Sequence, residues 1–490
     1  MNNRFCIDKK IFLLLLILIE IVSVLTISIN KQNKKITTSR ASTTTLSPES
    51  VIQVIYASPK DFLQKVDQIN KSNGGSFRLL LTPGLYNLSP SIISAPVTSD
   101  KGFGYVGTKV ALKISNLKHL EINSTNYFKK IVKPDIYFEG ETGLYLSNIE
   151  NVIIKNINLI GGKVRQYNDP AGIITYEKQI DIGIGPYDAL RSQILIEGSS
   201  QVTIDNISLE GVALGKDYIP DGAAGVRGIT VLGNKSIATK ASITDSQFVN
   251  NTWDSILLIG NVQGFVSNSN FSRSVQQISD YYIPLGQALY LVKSFAGIDG
   301  SGIAALKNSY VEISNVLFEG YHKVMGLNSS QGGKITNVRL HQSNDWNLND
   351  PFMGFWPLWI LDGTNNNSKG NLTIKNLFFF DNINPSVEEA KRIPYYSEWL
   401  IGLGKLNKVE IDGLRTAYNY FPIEITYPYD INDYIRLPSS NFSIKNWSVA
   451  LIKRVENGRK YPEFKRKLLH ACFVGCKIDN PSFIEYSFPK

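Results

Sequence analysis

The stretch VTIDNISL at residues 202–209 carries the pattern that decides the fold. Two apolar residues alternate with polar ones, an asparagine follows, and another apolar residue stands three positions after the asparagine. Alternation with a period of two is typical of a strand with one buried face, and asparagine tolerates the left-handed backbone of a sharp bend. One copy therefore predicts a strand, a corner at the asparagine and a second short strand. The pattern recurs, with one imperfect apolar place in some copies, as VIIKNINL (152–159), FVSNSNF (265–271), VEISNVLF (311–318), GKITNVRL (333–340), LTIKNLFF (372–379) and FSIKNWSV (442–449).

The spacing of the copies favours stacked coils. Phe271 follows Phe248 by 23 residues and Leu340 follows Phe318 by 22, whereas the other intervals are longer. Strands of four to six residues are not stable alone, but stacked coils bury their apolar positions in one continuous core. The alternative fold is a β-sandwich, in which the asparagine would recur only by chance.

The sequence therefore predicts an all-β fold, a parallel β-helix solenoid over residues 55–450. Stacked in register, the asparagines of the seven copies would pass side-chain amide hydrogen bonds from one coil to the next. Asp245 and Gly413 occupy the asparagine place in two near-variants of the pattern. The predicted ladder consists of Asn156, Asn206, Asn268, Asn315, Asn337, Asn376 and Asn446.

An amphipathic helix is predicted just before the first strands of the solenoid. Residues 59–71 (PKDFLQKVDQINK) have apolar side chains at Phe62, Val66 and Ile69, near helical spacing. A helix there would cap the N-terminal end of the solenoid, where bare strand edges invite aggregation. At the other end, residues 451–490 are basic and lose the repeat, so we expect a C-terminal cap or tail.

The N-terminal segment 1–30 is expected to be a membrane anchor or a signal segment. Residues 11–29 form an apolar run long enough for a transmembrane helix, and its only charge is Glu20. Lysines precede the run, as in signal peptides and signal anchors. An uncleaved anchor and a cleaved signal are both open, and either places the body outside the cytoplasm, membrane-anchored or secreted. Residues 31–54, partly rich in Ser and Thr, are expected to form a flexible linker.

Charge and cysteines exclude several classes of protein. The formal net charge is +9, but no zinc-finger, RNP or helix-turn-helix pattern occurs, so no nucleic-acid partner is expected. Cys472 and Cys476 form a lone C-x3-C, for which a metal or redox pair, a local disulfide and two free thiols are all open. No metal-ligand set is predicted and no cofactor is evident.

With these repeats, the chain resembles the pectin-lyase-like superfamily of right-handed parallel β-helices. That group contains pectate lyases, polygalacturonases, chondroitinase-B-like lyases and non-enzymatic exported proteins. The resemblance covers about residues 55–450 and points to no specific family within the group. It implies a right-handed coil and a polysaccharide that binds along one face of the stack. Members of the group can use calcium as a cofactor, so calcium is compatible with the resemblance.

Within the resemblance, the stretch 297–340 is the most suggestive of chemistry. Its start looks like the polygalacturonase run around the first catalytic aspartate, with Asp299 at the matching position. Where the family places a pair of aspartates, this chain has GYHK at 320–323, so hydrolysis by that mechanism is not expected. His322 and Lys323 would instead serve a lyase as base and charge neutraliser. The alternative is that these side chains are turn and surface residues.

Further candidates extend this set. Asp254 stands at a comparable strand start and completes the predicted catalytic residues. The stretch HQSNDWNLNDPFMGFWPLWI (341–360) is crowded with aromatic rings, which bury much area at low entropy cost and would stack on sugars. The alternative is that the rings shield the side of the solenoid. The predicted substrate-binding residues are Arg273, Trp346, Phe355, Trp356 and Trp359.

Three functions follow as hypotheses. The first is an exported enzyme that acts on polysaccharide, as a lyase of acidic polysaccharide or a hydrolase-like relative. The second is a non-catalytic surface protein that binds glycans or mediates adhesion, and the third is a structural solenoid without a ligand. An enzyme requires Asp254, Asp299, His322 and Lys323 within about 10 Å of one another on one face.

Overall fold

The structure is a computed structural model in which part of the chain is described. Contacts divide the chain into two units, Met1–Val51 and Ile52–Lys490, and Val51 is the one described residue of the first unit. The apolar run at 11–29 therefore lies outside the described residues. Within the described residues, no helix is long and apolar enough to cross a bilayer. The described residues are 51–88, 91–95, 108–127, 130–138, 142–161, 192–211, 227–233, 238–251, 254–272, 277–285, 288–295, 301–306, 308–321, 323–328, 331–341, 356–361, 370–378, 401–402, 408–417, 441–453, 455–456, 459–460, 477–478 and 482–487.

The first strands surround one short helix. Helix α1 (Phe62–Asn70) lies within the segment where the sequence predicted it, and it buries Phe62, Val66 and Ile69 in the core. Strand β1 begins two residues before the predicted start of the solenoid. The strands of this part are β1 (Gln53–Ala57), β2 (Ser76–Leu81), β3 (Leu85–Leu88), β4 (Ser91–Ala95), β5 (Thr108–Ser124), β6 (Asn126–Tyr127), β7 (Lys130–Ile131), β8 (Asp135–Phe138) and β9 (Thr142–Lys155).

The middle of the chain is a regular succession of short strands. The strands are β10 (Asn158–Gly161), β11 (Ser192–Glu197), β12 (Gln201–Asp205), β13 (Ser208–Gly211), β14 (Arg227–Leu232), β15 (Thr239–Thr244), β16 (Gln247–Val249), β17 (Ile256–Ile259), β18 (Val262–Ser267), β19 (Asn270–Ser272), β20 (Gln277–Leu285), β21 (Ala288–Phe295) and β22 (Ser301–Leu306). From β11 to β19 three strands follow one another and the fourth pairs in parallel with the first, so each group of three makes one coil. Strands β20 and β21 pair with each other, antiparallel, in a separate two-stranded sheet.

The C-terminal strands continue the parallel stacking, and they extend into the segment 451–490 that the sequence assigned to a cap or tail. The strands are β23 (Tyr310–Glu319), β24 (Lys323–Asn328), β25 (Gly332–His341), β26 (Trp356–Leu361), β27 (Asn371–Phe378), β28 (Ile401–Gly402), β29 (Lys408–Ala417), β30 (Asn441–Lys453), β31 (Val455–Glu456), β32 (Arg459–Lys460), β33 (Lys477–Ile478) and β34 (Ser482–Ser487). Here two strands make a coil, since β24 pairs with β22 and β25 with β23. In the segment 451–490, strand β34 pairs in parallel with β30.

In the described part of the chain, 28 of these strands belong to one hydrogen-bonded and mostly parallel sheet. The fold is therefore all-β, with very little helix. The parallel pairs form three columns of strands, which we call A, B and C in their order within one complete coil. Column A contains β5, β9, β11, β14, β17, β22, β24, β26 and β28; column B contains β1, β2, β5, β9, β12, β15, β18, β23, β25, β27, β29, β30 and β33; column C contains β3, β8, β10, β13, β16, β19, β23, β25, β27, β29, β30 and β34.

The corner between columns B and C is a single residue with left-handed backbone. All seven asparagines of the predicted ladder have φ between 51° and 59°, and Asp245 and Gly413 take the same conformation at φ 51° and 80°. The amides join neighbouring coils: Asn206 Nδ2 donates to Asn156 Oδ1 at 2.6 Å, and Asn376 Nδ2 donates to Asn337 Oδ1 at 2.8 Å. Where glycine replaces the asparagine, Asp412 Oδ1 accepts from Asn446 Nδ2 at 2.6 Å.

The interior is one continuous apolar cluster that runs from the first coils to Trp447. Equivalent residues of successive coils stack directly. The rings of Phe248 and Phe271 lie 4.4 Å apart and nearly parallel, and those of Phe271 and Phe318 lie 4.6 Å apart. Stacking of like residues follows from parallel in-register pairing, because each coil places the same position above its predecessor.

The long connections lie at the corner between columns C and A. Thirty residues separate β10 from β11, whereas the corner between β12 and β13 takes two. Other long connections at the same corner follow β13, β19, β25, β27 and β29. Insertions concentrated at one corner flank the ends of column C strands and the starts of column A strands, so those two edges are where a site would be built.

Candidate functional site

The structure describes only part of the predicted site. Asp254 is described in full. For Lys323, Trp356 and Trp359 only the backbone is described, and each lies in a strand. The remaining predicted residues lie outside the described residues: Arg273, Asp299, His322, Trp346 and Phe355. The proposed grouping of all four catalytic candidates therefore stays a prediction.

Register places two of the candidates in one row at the start of column A. Ile229 pairs with Ile256, and Ile256 pairs with Ile303, so Asp254 is level with Ser301 in the next coil. Ser301 pairs with Lys323. Neighbouring strands lie about 4.8 Å apart, so the backbones of Asp254 and Lys323 are about 10 Å apart.

The same row contains a buried ion pair that the sequence did not reveal. Arg227 Nε donates to Asp254 Oδ2 at 3.2 Å across adjacent coils. Arg227 is 5% exposed and Asp254 is 7% exposed. A buried ion pair is destabilised strongly when one partner is removed, because the remaining charge is then buried without a counter-charge. Asp254 is therefore engaged with an arginine, and its first role is to hold that guanidinium.

The outward face of column A is buried as well as its core face. Tyr145 Oη donates to Glu197 Oε2 at 2.6 Å on this face, and Ser192 and Thr230 share a hydrogen bond of 2.7 Å. The apolar residues of the face form a second cluster, separate from the main core. Its buried members are Val110, Tyr145, Leu195, Leu232, Leu257, Ile259 and Ala304.

The described part of the chain does not fit a metal centre. None of its residues form a group of three or more His, Cys, Asp or Glu side chains able to hold a metal ion. Calcium, which the resemblance admits, requires six to eight oxygen ligands. We therefore derive no chemistry from calcium at the described residues.

Column C presents a different arrangement of charge on its outward face. Arg339 pairs with Phe378, and Phe378 pairs with Arg415, so an aromatic ring lies between two arginines in three successive coils. The Arg415 guanidinium carbon lies 4.1 Å from the centre of the Phe378 ring. Stacking of this kind holds the guanidinium plane in a fixed orientation. We call these three residues the arginine–phenylalanine stripe.

The arginine–phenylalanine stripe is accessible and close to the long connections. Arg339 is exposed, and Phe378 and Arg415 are partly exposed. Each lies near the end of its column C strand, next to the corner where the insertions occur. Sequence reasoning missed the stripe because the three residues are 39 and 37 positions apart and no local pattern marks them.

Column B holds a smaller polar group near the N-terminal end. Arg78 Nε donates to Glu121 Oε2 at 2.5 Å, and Asn123 Nδ2 donates to Glu121 Oε1 at 3.0 Å. His119 lies two residues before Glu121 in the same strand. Burial lowers the pKa of His119 below its usual value, and the attraction of Glu121 opposes this only in part. His119 is therefore a neutral side chain at physiological pH, which makes it a packing element of this face.

Further along column B, Tyr310 donates its hydroxyl to Glu312 Oε1 at 3.1 Å. Burial, and then this hydrogen bond to the carboxylate, raise the pKa of Tyr310 to about 12. A phenol with so high a pKa stays protonated and acts as a hydrogen-bond donor rather than as a base.

No family model matches the chain, and no curated protein matches it at a significant level of similarity.

Proposed function

We propose that this chain is a right-handed parallel β-helix of the pectin-lyase-like kind that binds an acidic polysaccharide along its side, outside the cytoplasm. The observation that carries the proposal is the arginine–phenylalanine stripe on the outward face of column C. The stacked parallel columns and the asparagine corners support the solenoid part of the proposal.

The arginine–phenylalanine stripe has the chemistry that an acidic sugar requires. A guanidinium binds a carboxylate or sulfate through two parallel N–H bonds, and stacking on Phe378 orients that fork before the ligand arrives. The partly exposed ring offers apolar contact to the C–H surface of a sugar. The two arginines lie two coils apart, about 10 Å between backbones, so a polymer lying along the stack meets both.

A lyase of acidic polysaccharide is the second candidate, favoured by the row at the start of column A. Asp254 and Lys323 share this row, and His322 directly precedes Lys323 in the chain. A lyase needs a base to remove the proton on the carbon that bears the sugar carboxylate and a cation to neutralise that carboxylate. The electron pair then forms the double bond and breaks the C–O bond at the next carbon, and the leaving oxygen takes a proton from water or from the protonated base. In this proposal His322 is the base, Lys323 is the neutralising cation, and Asp254 holds Arg227 in the same row as Lys323.

The test of the binding proposal uses the full chain and a panel of acidic and neutral polysaccharides. Affinity is measured by calorimetry for the natural chain, for Arg415→Ala and for Lys375→Ala. Lys375 lies in the same strand as Phe378 and is exposed, but it faces outward from column B. We expect binding of acidic polymers, a clear loss in Arg415→Ala and little change in Lys375→Ala. Equal binding of neutral and acidic polymers, or equal effects of the two variants, contradicts the proposal.

The lyase candidate is tested in the same samples by ultraviolet absorbance of unsaturated products and by new reducing ends. Absorbance that grows with time and is lost in His322→Ala supports the lyase. Binding without either product supports the non-catalytic glycan-binding protein. If no polysaccharide of the panel gives binding, ultraviolet absorbance or new reducing ends, the third hypothesis, a structural solenoid that has no ligand, is favoured.

A further inference from the structure

The outward row of column C that contains the arginine–phenylalanine stripe alternates in charge from coil to coil. Leu317 pairs with Arg339, and Arg339 pairs with Phe378. Phe378 pairs with Arg415, and Arg415 pairs with Ser448. Over successive coils the row is therefore apolar, cationic, apolar, cationic and uncharged. Arg339 is exposed and the other side chains of the row are partly exposed, so a ligand can reach each level.

The distance between the levels of this row matches the repeat of a polysaccharide chain. Neighbouring strands lie about 4.8 Å apart. An extended polysaccharide advances by a similar distance with each sugar unit, so a polymer that lies along column C places about one sugar at each coil. Arg339 and Arg415 then meet every second sugar, and Phe378 meets the sugar between them.

The level of Phe378 favours a neutral sugar. Its ring has no hydrogen-bond donor, and each of the two arginines offers one planar fork, which the acidic sugar at its own level occupies. A carboxylate held against the ring would lose water without gaining a donor, and that loss is costly. A neutral sugar at this level instead places its C–H surface against the ring.

The level of Leu317 has the same preference. Its side chain is apolar, and Glu319 lies on the same face two residues further along the strand. A carboxylate placed there would meet a like charge as well as an apolar side chain. Repulsive elements of this kind give specificity, because they reject the wrong ligand in addition to favouring the right one.

We propose that this row selects a polysaccharide in which an acidic sugar alternates with a neutral one, and that it disfavours a polymer with an acid on every sugar. The acidic sugars bind Arg339 and Arg415. The neutral sugars lie at the levels of Leu317, Phe378 and Ser448. The inference rests on the proposed binding of acidic polysaccharide and names the class of polymer that is bound.

The test compares two polymers that share one backbone. Hyaluronan alternates glucuronate with neutral N-acetylglucosamine, and oxidation of the primary hydroxyl of N-acetylglucosamine to a carboxylate places an acid on every sugar. Calorimetry of the full chain at one salt concentration measures both affinities. We expect hyaluronan to bind about tenfold more tightly, because the oxidised polymer leaves a carboxylate without a donor. Binding governed by charge alone gives the opposite order, since the oxidised polymer carries more charge.

Three variants of strand β27 locate the source of the preference. Phe378→Arg places a third guanidinium between the other two, so it should reverse the preference. Phe378→Leu keeps the level apolar and should keep the preference while binding both polymers more weakly. Thr373→Arg is the matched control, because it adds the same charge at an exposed position of the same strand on column B, and it should leave the preference unchanged. Circular dichroism checks that each variant is folded.

The outcomes separate this inference from the proposed function. If the natural chain binds the oxidised polymer as tightly as hyaluronan, or more tightly, the inference is overturned and the binding of acidic polysaccharide still holds. The inference is also overturned if Phe378→Arg keeps the preference of the natural chain, or if Thr373→Arg reverses it, because the selection then does not arise at the level of Phe378. If no acidic polymer binds the natural chain, the proposed function fails and the inference fails with it.

Discussion

The same side chain, arginine, occurs in two opposite settings in this protein. Arg227 is buried at the start of column A and bonded to Asp254, whereas Arg415 is partly exposed on column C and stacked on Phe378. Burial makes the first guanidinium a requirement of the fold, because water no longer compensates its charge. Partial exposure and stacking give the second a fixed plane that a ligand can still reach. Burial therefore separates a charge that the fold requires from a charge that solvent still reaches.

The largest effect is expected from Arg227→Met. The substitution leaves the Asp254 carboxylate buried without its cation, so the free energy of unfolding should fall by about 3–5 kcal/mol. Urea denaturation followed by circular dichroism measures the change. The double variant Arg227→Met/Asp254→Leu, which removes both charges, should recover most of the loss. A single variant that costs under about 1 kcal/mol would show that the pair is solvated, and the contrast with Arg415 would disappear.

An intermediate effect is expected at the corner between columns B and C. Asn315 Nδ2 donates to Asn268 Oδ1 at 3.3 Å, and Asn337 Nδ2 donates to Asn315 Oδ1 at 3.1 Å. Asn315→Ala removes both bonds and places an alanine at φ 54°, which together should cost about 2–3 kcal/mol. Asn315→Gly keeps the backbone conformation and loses only the bonds, so it should cost less. Equal losses in the two variants, measured by urea denaturation, would mean that the left-handed backbone contributes nothing.

A smaller effect is expected from Phe378→Ala on ligand binding. Loss of the ring removes apolar contact and frees the Arg415 guanidinium, so affinity for acidic polysaccharide should fall about fivefold to tenfold. Calorimetry measures the affinity. Arg415→Lys keeps the charge but not the planar fork, and it should retain only part of the binding. If Arg415→Lys binds as tightly as the natural chain, the stripe acts through charge alone.

The smallest effect concerns His119, a partly buried side chain. Its pKa is lowered in the folded protein, so the unfolded chain binds more protons than the folded chain at acidic pH. The stability contribution is fully present above about pH 6.5 and is lost as the pH falls from there towards the folded pKa. Thermal unfolding between about pH 5 and 8 should show a shallower decline for His119→Gln than for the natural chain. Identical pH profiles would mean that His119 is protonated equally in both states.

Local chemistry explains which part of the fold could be predicted. The asparagine corners were visible in the sequence because a residue that must adopt positive φ and an alternating strand beside it are both short-range features. The helix at Phe62 was visible for the same reason. The corner between columns A and B was missed, although Asn116 and Asn148 also have positive φ there and share a bond of 3.4 Å. Its copies are spaced by insertions and lack a shared neighbouring pattern.

The site was less predictable than the fold. Asp254 was predicted because it stands at the start of a strand, but its partner Arg227 lies 27 residues earlier, one full coil away, with two strands and three corners between them. The arginine–phenylalanine stripe joins residues from three coils, and each is ordinary in its own segment. Which residues pair across coils depends on the length of every connection between those coils. The sequence of one segment alone therefore does not show its partner in the next coil.

The sequence by itself determined the period of the strands, the residues of the corner between columns B and C, and the apolar interior, because each follows from the backbone and burial preferences of a few neighbouring residues. Only the tertiary structure decided which charges meet. Register between coils brings Arg227 to Asp254 and sets Phe378 between Arg339 and Arg415. The physical reason is that electrostatic and stacking energies depend on distance and burial, and both quantities arise only when the coils are stacked.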